Sequence, residues 1–169
     1  MNRSFAGFLC AATGAGLLFI ASAASGEDKG VDWKSLSGAK VSLEKGLTAA
    51  QRKGRPISGK FEIEDDKLQL SVYTASKGAF HEVIVDHVSG KIAKSEQIKE
   101  GEDYIHANAQ IKAMSAAKKS LRAAVAGAVA ANPGYRAVSA IPSVEQGKPV
   151  ATVVLQNEAG TKTVSEKLY

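Results

Sequence analysis

Apolar and polar residues alternate in several short runs along the chain, and turn-forming residues separate these runs. Phe61 and Ile63 alternate with charged residues, as in a half-buried strand, whereas Val83 to Val85 are consecutively apolar, as in a covered strand. The pattern therefore predicts six short strands joined by tight turns. They cover residues 57–64, 68–72, 80–86, 137–141, 150–155 and 161–168.

Spacings of three and four between apolar residues predict helices. Ser42 is a suitable N-cap, and Leu43, Leu47 and Ala50 form one stripe that ends before Gly54. A second stripe extends from 102 to 131. Its unbroken alanine-rich sequence favours a single helix over two helices that meet near residues 119–120.

The helix-and-strand plan recurs with an offset of 78 residues, which places Ser42-Leu43 on Ser120-Leu121 and Leu47 on Val125. We therefore predict an α+β fold of two repeated modules, each a helix packed on a small three-stranded antiparallel sheet, joined by a helical linker. The predicted divisions are a flexible lead-in at 24–40, module 1 at 41–92, the linker at 93–117 and a truncated module 2 at 118–169.

The first 23 residues have the pattern of a secretory signal peptide. Arg3 precedes an uncharged run, and Ala21-Ser22-Ala23 is a cleavage site of small residues. The alternative is a retained membrane anchor, for which the apolar run is short. Cys10 lies inside this run rather than after it, so a lipoprotein is not favoured and the mature chain is expected to lack cysteine. Export to the bacterial periplasm, or secretion, follows from this interpretation.

The mature chain is mildly basic. The formal charge is +5, and it becomes +4 when Arg3 is removed (5 − 1). The basic clusters at 51–55 and 118–119 are short and contain no aromatic residues for base stacking, so nucleic acid is not an expected partner. Trp33 is expected to pack against the first module, with a role as a binding aromatic as the alternative.

Few residues suggest chemistry. His81, Glu82, Asp86 and His87 form the densest group of possible metal ligands, but the two histidines would lie about 20 Å apart in a regular strand. We therefore predict solvent-facing side chains, no metal and no cofactor. The serines lie at caps and turns without a nucleophile elbow, so no catalytic activity is expected.

Val41 to Leu47 and His81 to Lys91, which includes Asp86, Ser89 and Gly90, resemble the PepSY domain. The second copy resembles it through 120–125 and 149–155, although it ends before an Asp-x-x-Ser-Gly turn. The residues that carry this resemblance are Ser42, Leu43, Asp86, Ser89, Gly90, Ser120 and Leu121. The resemblance implies an exported binding module that inhibits or regulates a peptidase.

The expected function is thus protein–protein binding with a periplasmic peptidase or another envelope protein. An exposed strand edge or a helix–sheet groove would pair with an extended partner segment. The alternative is a periplasmic protein that binds a small ligand or metal near residues 81–87 or between the modules. A structural envelope component is a third possibility.

Overall fold

The structure is a computed structural model that describes residues 30–169. The predicted signal peptide, its cleavage site and Cys10 lie outside the described residues. The described elements are α1 (Trp33–Gly38), α2 (Leu43–Ala50), β1 (Arg55–Glu64), β2 (Lys67–Ser76), β3 (Ala79–Val85), β4 (Ile92–Ile98), α3 (Gly101–Ala116), α4 (Leu121–Ala130), β5 (Arg136–Glu145), β6 (Lys148–Asn157) and β7 (Gly160–Lys167).

The seven strands form one antiparallel sheet in the order β4-β3-β2-β1-β5-β6-β7. Tight turns join most neighbours along the chain. Asp65 and Asp66 both have positive φ angles between β1 and β2, as a two-residue turn of type I′ requires. Lys77-Gly78 and Gln146-Gly147 turn the chain in the same way. The turns lie between the strands that the sequence predicts, so these positions are confirmed. They were predictable because a few adjacent residues determine each turn.

The prediction of two separate three-stranded modules is wrong. β1 pairs with β2 on one side and with β5 on the other, through Gly59 opposite Ala140 and Lys60 opposite Ser139. This pairing joins all the strands into one sheet. An unpaired β1 edge would leave a row of backbone donors and acceptors without partners in the interior, so its pairing with β5 is favourable.

Helices cover both faces of the sheet. A Cβ atom on Gly59 would lie 3.0 Å from Leu47 Cδ2 and 3.2 Å from Leu43 Cδ1, so α2 packs directly on this face of β1. The neighbouring residues Ser58 and Lys60 face α3 instead. Because successive residues of a strand point to opposite faces, α2 and α3 lie on opposite sides of the sheet. α4 packs beside α2 and covers β5 to β7.

The predicted helical linker is also corrected. Residues 92–98 form β4, an edge strand that pairs with β3, rather than helix. The favoured single helix over 102–131 is two helices, because Ala117 is extended and the Ser120 hydroxyl accepts a hydrogen bond from Ala123 N–H at 3.2 Å. The Leu168 carbonyl accepts hydrogen bonds from the N–H groups of Lys118 and Lys119 and fixes this break.

The lead-in at 24–40 was predicted to be flexible, but its described part contains the short helix α1. Asp32 caps α1 by accepting a hydrogen bond from Ser35 N–H at 2.6 Å, and Leu36 is fully buried in the core. Trp33 packs against the same core, which confirms the expected docking. A side chain from a distant strand, Arg136, holds this segment in place.

Candidate functional site

The four possible metal ligands do not converge. His81 and Glu82 are adjacent on β3 and point to opposite faces of the sheet. Asp86 follows the strand and accepts hydrogen bonds from Ser89 N–H at 2.6 Å and Val88 N–H at 3.3 Å. The backbone carbonyl of His87 accepts from Lys40 and Val41. No three His, Cys, Asp or Glu side chains within residues 30–169 are placed to share a metal ion.

The residues that carry the PepSY resemblance have structural positions. Ser42 and Ser120 cap α2 and α4, and Leu43 and Leu121 are the buried first residues of those helices. Asp86, Ser89 and Gly90 form the turn between β3 and β4, in which Gly90 has a φ of +75°. The hydroxyl and then the backbone N–H of Ser89 hold the pKa of Asp86 below its usual value. This arrangement agrees with the turn that the sequence predicts.

A small pocket, which we call the polar pocket, lies between α3 and the sheet face opposite α2. Its volume is about 110 Å³. Its lining residues are Ser58, Gly59, Lys60, Ser71, Tyr73, Asp103, His106, Gln110 and Ile141. Gln110 is only 7% exposed, and its Oε1 atom is buried without a hydrogen-bond partner in the described part of the chain.

The polar pocket continues into a more open region, which we call the acidic cleft. This cleft has a volume of about 440 Å³ and shares Lys60, Tyr73 and Asp103 with the pocket. Its lining includes the carboxylates Glu62, Glu64, Asp65, Glu82 and Asp103 and the lysines Lys60 and Lys94. Five negative and two positive side chains give a formal charge of −3.

The hydrogen bonds of the cleft link the strands to α3. Tyr73 donates from its hydroxyl to Asp103 Oδ1 at 2.7 Å, and the Ser71 hydroxyl donates to Glu82 Oε1 at 2.8 Å. Lys60 forms an ion pair with Glu62. Burial raises the pKa of Glu82, and the negative charges of Glu62 and Asp103 raise it further. The hydrogen bond from Ser71 and the positive charge of Lys60 lower it in part.

The same surroundings also shift the pKa of Tyr73. Burial, the hydrogen bond to Asp103 and the nearby charges of Asp103, Glu82 and Glu62 raise the pKa of Tyr73 well above its usual range. The phenol is therefore neutral at physiological pH and keeps the proton that it donates to Asp103. Burial is the main cause of both pKa shifts, and the neighbouring carboxylates add to it.

A third feature is an apolar groove on the outer side of α3. The groove has a volume of about 560 Å³, and its lining residues are Tyr104, Ile105, Asn108, Ala109, Lys112, Pro142, Ser143 and Val144. Ile105 is 66% exposed, Val144 52% and Tyr104 39%. Ile141, which is also exposed, lies next to Pro142 on β5 and lines the polar pocket on its other side.

The hydrophobic pattern of the sequence does not predict these surfaces. The predicted stripe over 102–131 includes Tyr104, Ala107, Ile111 and Met114, of which Ala107 and Met114 are buried. Tyr104 is at the edge of that stripe and partly exposed. Ile105 departs from the stripe altogether, which is the one local signal that could have indicated a surface apolar residue.

No helix among residues 30–169 has the length and apolar character needed to cross a membrane. The chain matches no known family model, no curated protein and no solved structure. The resemblance to the PepSY domain therefore stays a prediction from the residues quoted above.

Proposed function

We propose that this protein is an exported, non-catalytic binding module that engages a protein partner through the apolar groove between α3 and β5. The PepSY resemblance supports a periplasmic peptidase as the partner, which the module would inhibit or regulate. The signal-like N-terminal sequence supports export.

The concentration of exposed apolar side chains at one place carries this proposal. Six large hydrophobic residues within 30–169 are exposed, and three of them line the groove: Tyr104, Ile105 and Val144. A fourth, Ile141, precedes Pro142 on β5. Single exposed apolar residues are common on soluble proteins, whereas a contiguous group marks an interaction surface. Aromatic and aliphatic anchors in such a groove supply most of the affinity of a typical complex.

The groove is better suited to a partner than the sheet edges are. The edge strands β4 and β7 are the other surfaces that could pair with an extended segment. They carry charged residues, including Lys94 and Glu96 on β4 and Lys162 and Lys167 on β7. Charged side chains on an edge oppose further strand pairing. Lys112 beside the groove would favour a partner segment with a carboxylate near its apolar anchor.

The test is binding and inhibition with purified periplasmic peptidases from the source organism. We expect the protein to bind one of them, and we expect Ile105→Asp combined with Val144→Asp to weaken that binding by about tenfold or more, because both anchors are replaced by charge. Val88→Asp is the matched control, since Val88 is 48% exposed but lies in the β3–β4 turn. It should retain the affinity of the unchanged protein.

Two outcomes would contradict the proposal. Failure of the unchanged protein to bind any of the peptidases removes the peptidase version. Equal affinity of the double variant and the Val88→Asp control for a bound peptidase removes the groove as the binding surface. Circular dichroism of each variant establishes that a loss of binding is not a loss of fold.

A second candidate function, binding of a small ligand, is favoured by the polar pocket and its buried Gln110. This location replaces the region around residues 81–87 that the sequence suggested, because the candidate ligands there do not converge. A ligand that binds only the folded chain raises its melting temperature. Gln110→Leu should abolish such a rise.

A further inference from the structure

The chemistry of the polar pocket indicates the class of ligand that it accepts. Gln110 is held on α3 with its side chain enclosed, and its Oε1 atom has no hydrogen-bond partner among residues 30–169. A buried acceptor without a partner costs free energy, because its hydration is lost and nothing replaces it. A group that donates a hydrogen bond to this oxygen would recover that loss.

Two of the hydroxyl groups that line the pocket already donate to other side chains. The Tyr73 hydroxyl donates to Asp103, and the Ser71 hydroxyl donates to Glu82. Ser71 also accepts from the Gln69 amide at 3.2 Å. The phenol oxygen of Tyr73, the carboxylate of Asp103 and the amide oxygen of Gln110 are thus available as acceptors. A ligand with several N–H donors would complement these three oxygens.

The charge of the surroundings selects a cation. The acidic cleft that opens from the pocket has a formal charge of −3, although the whole chain has a formal charge of +5. Lys60 already pairs with Glu62, which leaves four carboxylates and one lysine, Lys94, along the cleft. The charges of Glu62 and Asp103 add to the burial that raises the pKa of Glu82. A cation would lower that electrostatic cost.

The acceptors do not suit a metal ion. They combine a neutral amide, a neutral phenol and one carboxylate. No three His, Cys, Asp or Glu side chains among the described residues are placed to bind one metal ion. An ammonium or guanidinium group presents three to five N–H donors spread over its surface, and it can satisfy neutral and charged acceptors at once.

We propose that the polar pocket binds an organic cation, an alkylammonium or guanidinium group, with Gln110 Oε1 and the Asp103 carboxylate as its principal acceptors. The pocket holds the charged end group, and the acidic cleft accommodates the rest of the ligand. The group belongs either to a free small molecule or to a lysine or arginine side chain of a peptide. This inference rests on the ligand-binding candidate above and is independent of the apolar groove.

Calorimetric titration of the full chain with matched probes tests this proposal. Propylguanidinium and butylammonium are the cations, and propylurea is the neutral isostere of the first. We expect saturable binding of at least one cation and at least about tenfold weaker binding of propylurea, because the charge-assisted hydrogen bonds are lost. N-acetylarginine amide provides the peptide arm. Its binding would indicate a peptide side chain as the source, whereas binding of the small cations alone would indicate a free small molecule.

Two variants locate the site. Gln110→Leu and Asp103→Asn should each weaken cation binding by about tenfold or more, and Glu158→Gln in the β6–β7 turn should leave it unchanged. Gln110→Leu replaces an acceptor without a partner by an apolar group of similar size, so this variant is expected to fold at least as stably as the parent. It keeps the test informative if Asp103→Asn is destabilised.

Three results would overturn the cation proposal. They are no binding of any cation, equal binding of propylurea and propylguanidinium, or unchanged binding in both Gln110→Leu and Asp103→Asn. Equal binding of propylurea that is lost in Gln110→Leu would reject the cation but retain the pocket as a small-ligand site. This last result therefore separates a wrong class of ligand from the absence of a ligand site.

Discussion

Glu82 is a carboxylate that the fold places at some electrostatic cost. It lies opposite Tyr73 in the β2–β3 pairing and faces the acidic cleft together with Glu62 and Asp103. Its partial burial and these neighbours raise its pKa. The folded chain therefore binds a proton at Glu82 more tightly than the unfolded chain does. The contribution of this group to stability is fully present below its unfolded pKa and is lost as the pH rises through its folded pKa.

Glu82→Gln should raise the melting temperature at pH 7, because the amide carries no charge and still accepts the hydrogen bond from Ser71. The difference from the parent should shrink as the pH falls below the titration range of carboxyl groups, where Glu82 is protonated. Thermal unfolding followed between pH 3 and pH 8 measures this, with Glu158→Gln as the control on an exposed turn. A stability difference that is independent of pH would contradict the electrostatic explanation.

At the scale of elements, Arg136 at the start of β5 attaches the N-terminal segment to the sheet. Its guanidinium donates to the carbonyls of Leu36 at 2.8 Å, Ala39 at 2.9 Å and Val41 at 3.3 Å. These three carbonyls belong to α1 and to the connection between α1 and α2. One side chain therefore satisfies the end of a short helix that could not be stable alone.

Arg136→Met should destabilise the protein by about 1.5–3 kcal/mol, because three charge-assisted hydrogen bonds to backbone carbonyls are lost. Amide hydrogen exchange should accelerate first at residues 36–41. Urea denaturation measures the stability change, and Arg122→Met on the exposed side of α4 is the matched control with an expected change within about 0.5 kcal/mol. Equal effects of the two substitutions would show that α1 is held by its apolar packing alone.

The elements that sequence reasoning identified are those whose causes are local. The cap at Ser42 and the turn at Asp65-Asp66 depend on residues within a few positions, and both are present. α1 was missed because its main anchor, Arg136, lies 100 residues from Leu36. β4 was missed because it is a polar edge strand that β3, rather than its own apolar pattern, holds in place.

The candidate sites were missed for a related reason. Gln110 has no distinctive sequence context, and its importance comes from enclosure between α3 and the three strands β1, β2 and β5. Likewise, Ile105 and Val144 form one surface only because α3 crosses β5. The sequence could predict the hairpins that build the sheet, but not which faces and edges would meet.

At the scale of the whole molecule, the pairing of β1 with β5 makes the protein one cooperative unit. The pairing includes Gly59 opposite Ala140 and Lys60 opposite Ser139. Packing of α2 beside α4 reinforces it on one face, and α3 spans β1 and β5 on the other. The core runs without interruption from Leu36 to Leu168.

Unfolding in urea should therefore show a single transition. Fluorescence of Trp33, the only tryptophan in the chain, reports the N-terminal segment, and far-ultraviolet circular dichroism reports the whole sheet. The two transitions should coincide, because neither half can lose the β1–β5 pairing and keep its own core. Two resolved transitions would show that the halves unfold separately.

The short break between α3 and α4 has a consequence for how copies of the protein can meet. It is held by the Ser120 cap and by the two hydrogen bonds to the Leu168 carbonyl, while the apolar stripe on either side would suit a continuous helix. If the break straightens, β5 to β7 move away from their own β1 and can pair with the β1 of a second molecule through the same contacts. Refolding at high concentration would then yield dimers that have exchanged their C-terminal halves, with each sheet built from two chains.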